Sequence, residues 1–145
     1  MDTRISARES YERGRTLRQA KMYNQALVNL RHATQDPNYA GQAYTQVALC
    51  LRAIGRHEEA VTALRYALDA SSLSPNEYVY LLYLLGQSLE SLSRFAEAVE
   101  AYNWVRQEDA DFRDVQLRIK RLCGRGQSIL TLDIGSICSN LFGRR

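Results

Sequence analysis

The amino-acid sequence predicts an all-α fold in which three helical hairpins follow one another and a seventh helix closes the series. Three observations predict it. Apolar residues recur at helical spacing through most of the chain. Gly55 interrupts this spacing within the segment 41–70, which indicates two helices joined by a turn. The pattern then repeats in register, because Ala26, Ala60 and Ala98 are separated by 34 and 38 residues.

The first copy covers about residues 6–38. Ser6 and Glu9 mark its start, because Ser-x-x-Glu is the arrangement in which side chains and backbone amides cap a helix reciprocally. Pro37 marks its end, since proline lacks the amide hydrogen that a continuing helix would use. These signals predict one complete hairpin.

The central copy covers about residues 40–71 and is the best defined. Tyr44, Leu51 and Leu64 supply large apolar surface at helical spacing. Ala48 and Ala60 are small at the place where the two helices must approach closely. One hairpin cannot bury its apolar face alone, so this copy requires neighbours on both sides.

The third copy covers about residues 75–108. The four residues that lengthen its distance from the central copy fall in the polar stretch 71–75, where an insertion leaves both hairpins intact. Pro75 suits the first helical position, where a missing amide hydrogen costs nothing. The helix that follows is apolar on most of its faces, so we expect it to be the most enclosed helix of the protein.

A seventh helix is predicted over 111–122 as a cap. Val115, Ile119 and Leu122 form one apolar stripe, and the remaining positions are mostly polar. A terminal helix with one polar face is what a stack of repeats needs, because the last hairpin would otherwise leave its apolar side in water. We expect the glycines of Gly124-Arg125-Gly126 to end this helix, so the repeat domain is predicted to span 1–122.

Residues 123–145 are predicted to form a C-terminal tail. Its apolar residues fall at the spacing of a short amphipathic helix, which would be marginal in isolation and would need a surface to lie against. That surface could belong to the chain's own last hairpin, to another copy or to another protein, while disorder and a membrane-surface anchor are further alternatives. The residues predicted to dock are Ile134, Ile137, Leu141 and Phe142.

Nine positions of the central copy share a characteristic spacing: Tyr44, Val47, Ala48, Leu51, Gly55, His57, Ala60, Leu64 and Ala67. This spacing resembles the tetratricopeptide repeat, a helix-turn-helix unit of about 34 residues. The resemblance implies a right-handed α-solenoid of three repeats with a seventh capping helix. It also implies a non-catalytic protein–protein interaction module, an adaptor or assembly scaffold, whose first helices line a concave groove that receives a peptide or helix.

Register carries the groove of the family onto particular residues of this chain. The positions implied are Arg8, Tyr11, Arg15 and Arg18 in the first copy, Gln42, Thr45, Leu49 and Arg52 in the second, and Tyr80, Tyr83, Gln87 and Glu90 in the third. Guanidinium groups bind carboxylates in a two-pronged geometry, and tyrosines add rigid contact area. We therefore expect an acidic segment with apolar anchors as the ligand, the alternative being that these arginines only solvate a helix face.

One subclass of the family clamps the C-terminal carboxylate of heat-shock chaperones with basic and amide side chains at fixed places. The corresponding places here hold Tyr11, Arg15, Gln46, Tyr80 and Leu84. Only one of them is basic, so that specific function is not expected.

The composition is that of an ordinary globular chain. It has 145 residues, 46% of them hydrophobic and 24% charged, which suits one domain without a membrane span. The first residues lack the apolar segment of a secretory signal, and three cysteines without a CxxC motif favour a reducing compartment. We expect a cytoplasmic protein.

Enzymatic chemistry has few candidate residues in this sequence. His32 and His57 are the two histidines, and neither has partners at metal-ligand spacing. Phosphate-binding, dinucleotide-binding and nucleophile-elbow motifs are absent. The sequence therefore predicts no enzyme, no cofactor and no metal.

Two other functions compete with peptide binding. RNA could meet basic helix faces, including Arg113, Arg118, Lys120, Arg121 and Arg125. Residues 72–110, however, carry a net charge of −4 that interrupts a continuous basic track, so nucleic acid is the less favoured partner. The other competitor is self-association, with the tail of one copy bound by a second copy.

Overall fold

The computed structural model describes residues 5–70 and 73–129, with side chains as far as Gly124. These described residues hold seven helices and no strand, so the predicted all-α helical-repeat fold is confirmed. The helices are α1 (Ala7–Gln19), α2 (Tyr23–Ala33), α3 (Ala40–Ala53), α4 (His57–Leu68), α5 (Pro75–Ser91), α6 (Phe95–Glu108) and α7 (Val115–Ile129).

The chain divides after Pro75 into two compact units, Met1–Pro75 and Asn76–Arg145. The first unit holds α1 to α4, and nearly all of α5 lies in the second unit together with α6 and α7. The sequence predicted one domain. In a series of hairpins each hairpin packs only on its neighbours. A single core therefore need not extend through the whole series, and the packing can divide at one point along the chain.

All three hairpins turn in the same way. The second residue after the first helix has a positive φ in each case, 61° at Lys21, 79° at Gly55 and 59° at Ser93. These residues are separated by the same 34 and 38 residues as the repeat itself. In each turn the next backbone amide donates back into the preceding helix, which satisfies carbonyls at its end. The bonds are Met22 to Leu17 (2.9 Å), Arg56 to Leu51 (2.8 Å) and Arg94 to Leu89 (2.9 Å).

Helix starts follow local chemistry. The capping box predicted at Ser6 is present, because the Glu9 amide donates to Ser6 Oγ and the Ser6 amide donates to Glu9 Oε2. Pro75 begins α5, as predicted. The second helices of copies two and three begin differently, with an arginine just before the helix paired to a glutamate three residues on: Arg56 with Glu59 and Arg94 with Glu97.

The core of the first unit depends on small residues. Ala26, Ala48 and Ala60 are completely buried where helices cross, as the repeat register predicted. Gly14 packs so closely on α2 that a Cβ there would lie 2.7 Å from Cδ2 of Leu30. These close approaches let large residues such as Leu30 fill the remaining space.

The second unit has the most enclosed helix. Nine residues of α5 are buried, against six in α3, the helix at the equivalent place in the first unit. The prediction for this helix is therefore confirmed. Its Gly86 faces Tyr102 of α6, which is completely buried.

The cap helix differs in its bounds from the prediction. Val115, Ile119 and Leu122 are buried on one stripe as expected. The helix begins at Val115 rather than at 111, and it continues through Gly124 and Gly126 to Ile129. Helix-interior glycine costs only about 1 kcal/mol relative to alanine, so glycine alone does not end a helix. The residues predicted to dock in the tail, Ile134, Ile137, Leu141 and Phe142, lie outside the described residues.

Candidate functional site

The first helices of copies one and two lie side by side in the first unit. Arg18 of α1 donates from Nε to Oε1 of Gln46 of α3 over 2.6 Å, which fixes the two helices to each other. Both are first helices of their hairpins, so their outward sides form one continuous surface. We call the side of α1 and α3 that carries the eight groove positions of copies one and two the α1/α3 face.

All eight predicted positions on the α1/α3 face remain at least partly accessible to solvent. Arg8, Arg15 and Gln42 are exposed. The other five are half-buried: Tyr11, Arg18, Thr45, Leu49 and Arg52. Arg8 and Arg15 make no ion pair with any residue that the structure describes, so their guanidinium groups are available.

The α1/α3 face is positively charged. It carries four arginines, and none of the eight positions holds a carboxylate. The whole of α3 lacks Asp and Glu. Because none of the eight positions is acidic, an anionic partner would meet an attractive potential at these positions.

Two polar side chains on this face are less free than the sequence suggested. The Thr45 hydroxyl donates to the Gly41 carbonyl at 2.9 Å within its own helix. The Arg18 Nε–H is already donated to Gln46. Tyr11 keeps part of its ring exposed, but it contacts the Tyr39 ring at a centroid distance of 5.9 Å. Exposed contact area therefore comes mainly from Arg8, Arg15 and Gln42.

The predicted groove positions of the third copy are a different case. Tyr83 was expected to be exposed, but it is only 3% exposed, so this expectation was wrong. Its ring contacts Tyr102 and Phe112, and its hydroxyl donates to Asp114 Oδ1 at 2.5 Å. Glu90 was expected to face a ligand, yet its Oε2 accepts from Tyr102 and from Arg118. Both side chains therefore face the cap region, where their hydrogen bonds to Asp114 and Arg118 anchor α7 against α5.

Arg118 is the residue at the centre of this network, and sequence reasoning missed its role. It donates to Glu90 at 2.9 Å, to Asp114 at 3.0 Å and to the Tyr83 hydroxyl at 3.2 Å. The sequence had grouped it with surface cations that could meet RNA. An arginine placed between two carboxylates is already neutralised, so Arg118 cannot contribute to a phosphate-binding track. The spacing Asp114–Arg118, i to i+4, was the available signal for one of these pairs.

The surroundings fix the protonation states in this network. Burial raises the pKa of Tyr102 well above its usual range, and the Glu90 carboxylate raises it further, so the hydroxyl stays a donor. Burial alone would raise the pKa of Asp114, but the hydrogen bonds from Tyr83 and Arg118 outweigh it and hold the pKa below its ordinary value. Burial would lower the pKa of Arg118, but Tyr102, Asp114 and Tyr83 raise it, so the guanidinium stays charged.

Tyr80 and Gln87 are half-buried and keep part of their surface accessible. The Tyr80 ring is covered by the Arg113 guanidinium, whose central carbon lies 5.4 Å from the ring centroid. Of the four positions predicted in the third copy, these two remain candidates for contact with a partner.

The described residues also bear on metal binding and on insertion into a membrane. They contain no group of three or more His, Cys, Asp or Glu side chains that could hold a metal ion. None of their helices is both long enough and apolar enough to cross a membrane.

Burial raises the pKa of the Cys50 thiol, and the nearby charge of Arg18 offsets only part of this rise. The raised pKa keeps the thiol protonated and unreactive.

The fold and its repeated turns define a protein of the helical-repeat class. Two segments, residues 41–72 and 79–103, match the family model of the tetratricopeptide repeat. Each of these two segments is therefore similar to a tetratricopeptide repeat, as the spacing of the second and third copies predicted.

Among solved structures, the chain is similar to the first TPR of Spaghetti (RPAP3) bound to the HSP90 peptide SRMEEVD. The match has a TM-score of 0.71 and covers 84% of this chain and 93% of that one. The two sequences are 14% identical, so the similarity shows a shared fold. No curated protein matches the sequence as a relative.

Proposed function

We propose that this chain is a non-catalytic protein-interaction module, an adaptor or assembly scaffold in the cytoplasm, that binds an acidic segment of a partner protein on its α1/α3 face. The observation that carries the proposal is the charge of that face. Four arginines lie on it without a carboxylate among the eight positions, and Arg8 and Arg15 are exposed. Exposed guanidinium groups at this density attract carboxylates and bind them in a two-pronged geometry.

The structural neighbour supports the chemical class of the ligand. The peptide bound in that structure, SRMEEVD, contains three acidic residues. The mode of binding proposed here is different from a clamp on a terminal carboxylate. Of the places that such a clamp would use, Gln46 is engaged by Arg18, and Leu84 is buried. An internal acidic segment with apolar anchors suits the exposed arginines and the half-buried Tyr11 and Leu49 better.

A matched pair of charge reversals tests the proposal. Arg15→Glu places a negative charge on the α1/α3 face. Arg13→Glu makes the same change on the same helix, two residues away, where the side chain is also exposed but points to another side. We avoid Arg18, because changing it would break its hydrogen bond to Gln46. Circular dichroism should show that both variants keep the helical content of the natural chain.

The measurement has two stages. Partners are first captured from a cell extract with the natural chain, and an array of short peptides with graded acidic content then locates the bound segment. We expect Arg15→Glu to lose roughly tenfold or more in affinity for that segment, and Arg13→Glu to change little. Binding should also weaken as salt is added. Equal binding by both variants would show that the α1/α3 face is not the site.

A further inference from the structure

Three aromatic rings of the second unit surround one cation. The central carbon of the Arg113 guanidinium lies 5.4 Å from the Tyr80 ring centroid, 5.3 Å from that of Tyr83 and 5.5 Å from that of Phe112. Tyr83 and Phe112 also meet edge to face, with centroids 5.4 Å apart. Rings at these distances attract a cation through the negative charge on their faces. We call Tyr80, Tyr83 and Phe112 the aromatic cage.

Cation–π contacts with the three rings are the main interactions of the Arg113 side chain. Among the residues described, Arg113 makes no hydrogen bond from its side chain and no ion pair, and it is exposed to solvent. Arg118 also approaches the Tyr83 ring, at 5.6 Å, but it is fixed by Glu90 and Asp114. The Arg113 side chain can therefore leave the cage without breaking a charge pair, whereas that of Arg118 cannot.

The backbone of Arg113 is held in an uncommon conformation. Its φ of 47° lies in the left-handed region, which residues with a Cβ seldom adopt. Such a conformation persists where surrounding contacts over-determine it, and it occurs often at binding sites and switches. The contacts of the Arg113 guanidinium with the three rings hold its side chain over the cage.

The loop that supplies Phe112 to the cage favours a positive ligand. Residues 109–114 contain three aspartates and a single arginine. Asp109 and Asp111 are exposed beside the cage residue Phe112, and Asp114 is engaged by Tyr83 and Arg118. If Arg113 left the cage, the exposed aspartates would still attract a cation to the same loop.

We propose that the aromatic cage is a binding site for an arginine side chain of a partner protein, and that Arg113 occupies the site in the free chain. Arg113 itself shows that a guanidinium fits among the three rings. The site lies in the second unit and takes a cation, so it is independent of the acidic ligand proposed for the α1/α3 face. While Arg113 occupies the cage, a partner's arginine cannot bind. The apparent affinity is therefore the intrinsic affinity multiplied by the fraction of time that the cage is open.

The test opens the cage and measures binding of a defined probe to the full chain. Arg113→Gly removes the occupant, and glycine tolerates the positive φ. The probe is a short fluorescent peptide with one arginine, and a citrulline peptide of the same sequence is the uncharged control. We expect Arg113→Gly to bind the arginine peptide roughly tenfold more tightly than the natural chain does, and not to bind the citrulline peptide.

Three further variants separate the cage from simpler explanations. Arg113→Gln also removes the guanidinium and keeps a shorter polar side chain with a Cβ, so it repeats the test if the glycine variant is unstable. Arg121→Gln removes an exposed charge from α7 away from the cage and should leave binding unchanged. Adding Tyr80→Ala to Arg113→Gly should abolish the gain, since one ring is lost.

Several results would overturn the proposal. They are no gain in affinity for either Arg113 variant, equal binding of the arginine and citrulline peptides, and a gain that survives Tyr80→Ala. A trimethyllysine peptide that binds more tightly than the arginine peptide would also overturn it, because the cage would then recognise an ammonium and not a guanidinium. Failure of the α1/α3 face in its own test has no bearing on these results.

Discussion

Close packing at one register position is the residue-scale feature on which every hairpin depends. Gly14, Ala48 and Gly86 occupy this position in the three copies, separated by 34 and 38 residues. All three are buried and small, and in the first and third copies a large side chain of the second helix lies directly against the backbone. The sequence pattern of small residues thus reports a distance between helices.

Gly86 gives the sharpest prediction at this scale. A Cβ added there would lie 2.6 Å from Cδ1 and 2.8 Å from Cζ of Tyr102. That ring is completely buried and its hydroxyl is bonded to Glu90, so it cannot move aside at low cost. We expect Gly86→Ala to lower the free energy of unfolding by roughly 1–3 kcal/mol, the usual cost of overpacking, measured by urea denaturation.

Gly124→Ala is the matched control for this substitution. It makes the same change in α7, where no atom of the described residues lies within 4 Å of the added Cβ. Alanine should therefore raise stability there by about 0.5–1 kcal/mol through its better helix propensity. Equal effects of the two substitutions would mean that propensity, and not contact with Tyr102, decides the role of Gly86.

At the scale of elements, α7 is anchored by polar groups as well as by its apolar stripe. Asp114 and Arg118, at the start of α7, bond to Tyr83 and Glu90 of α5. The apolar stripe was predictable from spacing, because periodicity reports which face of a helix is buried. The polar anchor was not, because a sequence does not show which charged residue of one helix meets which residue of another. This is why Tyr83 and Glu90 were assigned to a groove.

The anchor predicts a dependence of stability on pH. The pKa of Asp114 in the folded chain lies below its ordinary value of 3.8, so the charged form stabilises the fold. This contribution is fully present above the ordinary value and is lost as pH falls through the folded pKa. We expect Asp114→Asn to be less stable than the natural chain at neutral pH, and the difference to shrink as pH falls below about 4.

Urea denaturation at a series of pH values measures this difference. Asp111→Asn is the control, because Asp111 is an exposed carboxylate of the same loop. It should change stability little, and with little dependence on pH. A difference between the natural chain and Asp114→Asn that stays constant down to acid pH would show that the charge of Asp114 does not stabilise α7.

For the whole molecule, the sequence predicted the fold better than the candidate site. The repeat register was predictable because each hairpin solves the same packing problem with the same small and large residues, as Ala26, Ala60 and Ala98 show. The Arg113 cage was not, since it depends on rings from α5 and from the loop before α7 that are distant in sequence. The division into two compact units was missed too, because composition and length do not report where packing separates.

This division has a consequence for unfolding. In repeat proteins stability is approximately a sum of terms within repeats and between neighbours, so a local defect need not spread evenly. Leu30→Ala removes a completely buried side chain from the first unit, and Val99→Ala does so in the second. Cavity formation costs about 2–5 kcal/mol for a leucine and less for a valine. Each substitution should therefore lower protection mainly in its own unit.

Native-state hydrogen exchange resolved by helix measures this effect. Leu30→Ala should speed exchange of amides in α1 and α2 more than in α6. Val99→Ala should do the reverse, which controls for helices that exchange quickly in any variant. If both substitutions sped exchange equally in all three helices, the chain would unfold as one cooperative body despite its two units. Faster exchange confined to the unit that carries the substitution would mean that each unit can open while the other keeps its fold. A partner bound on the α1/α3 face would then protect the amides of the first unit alone.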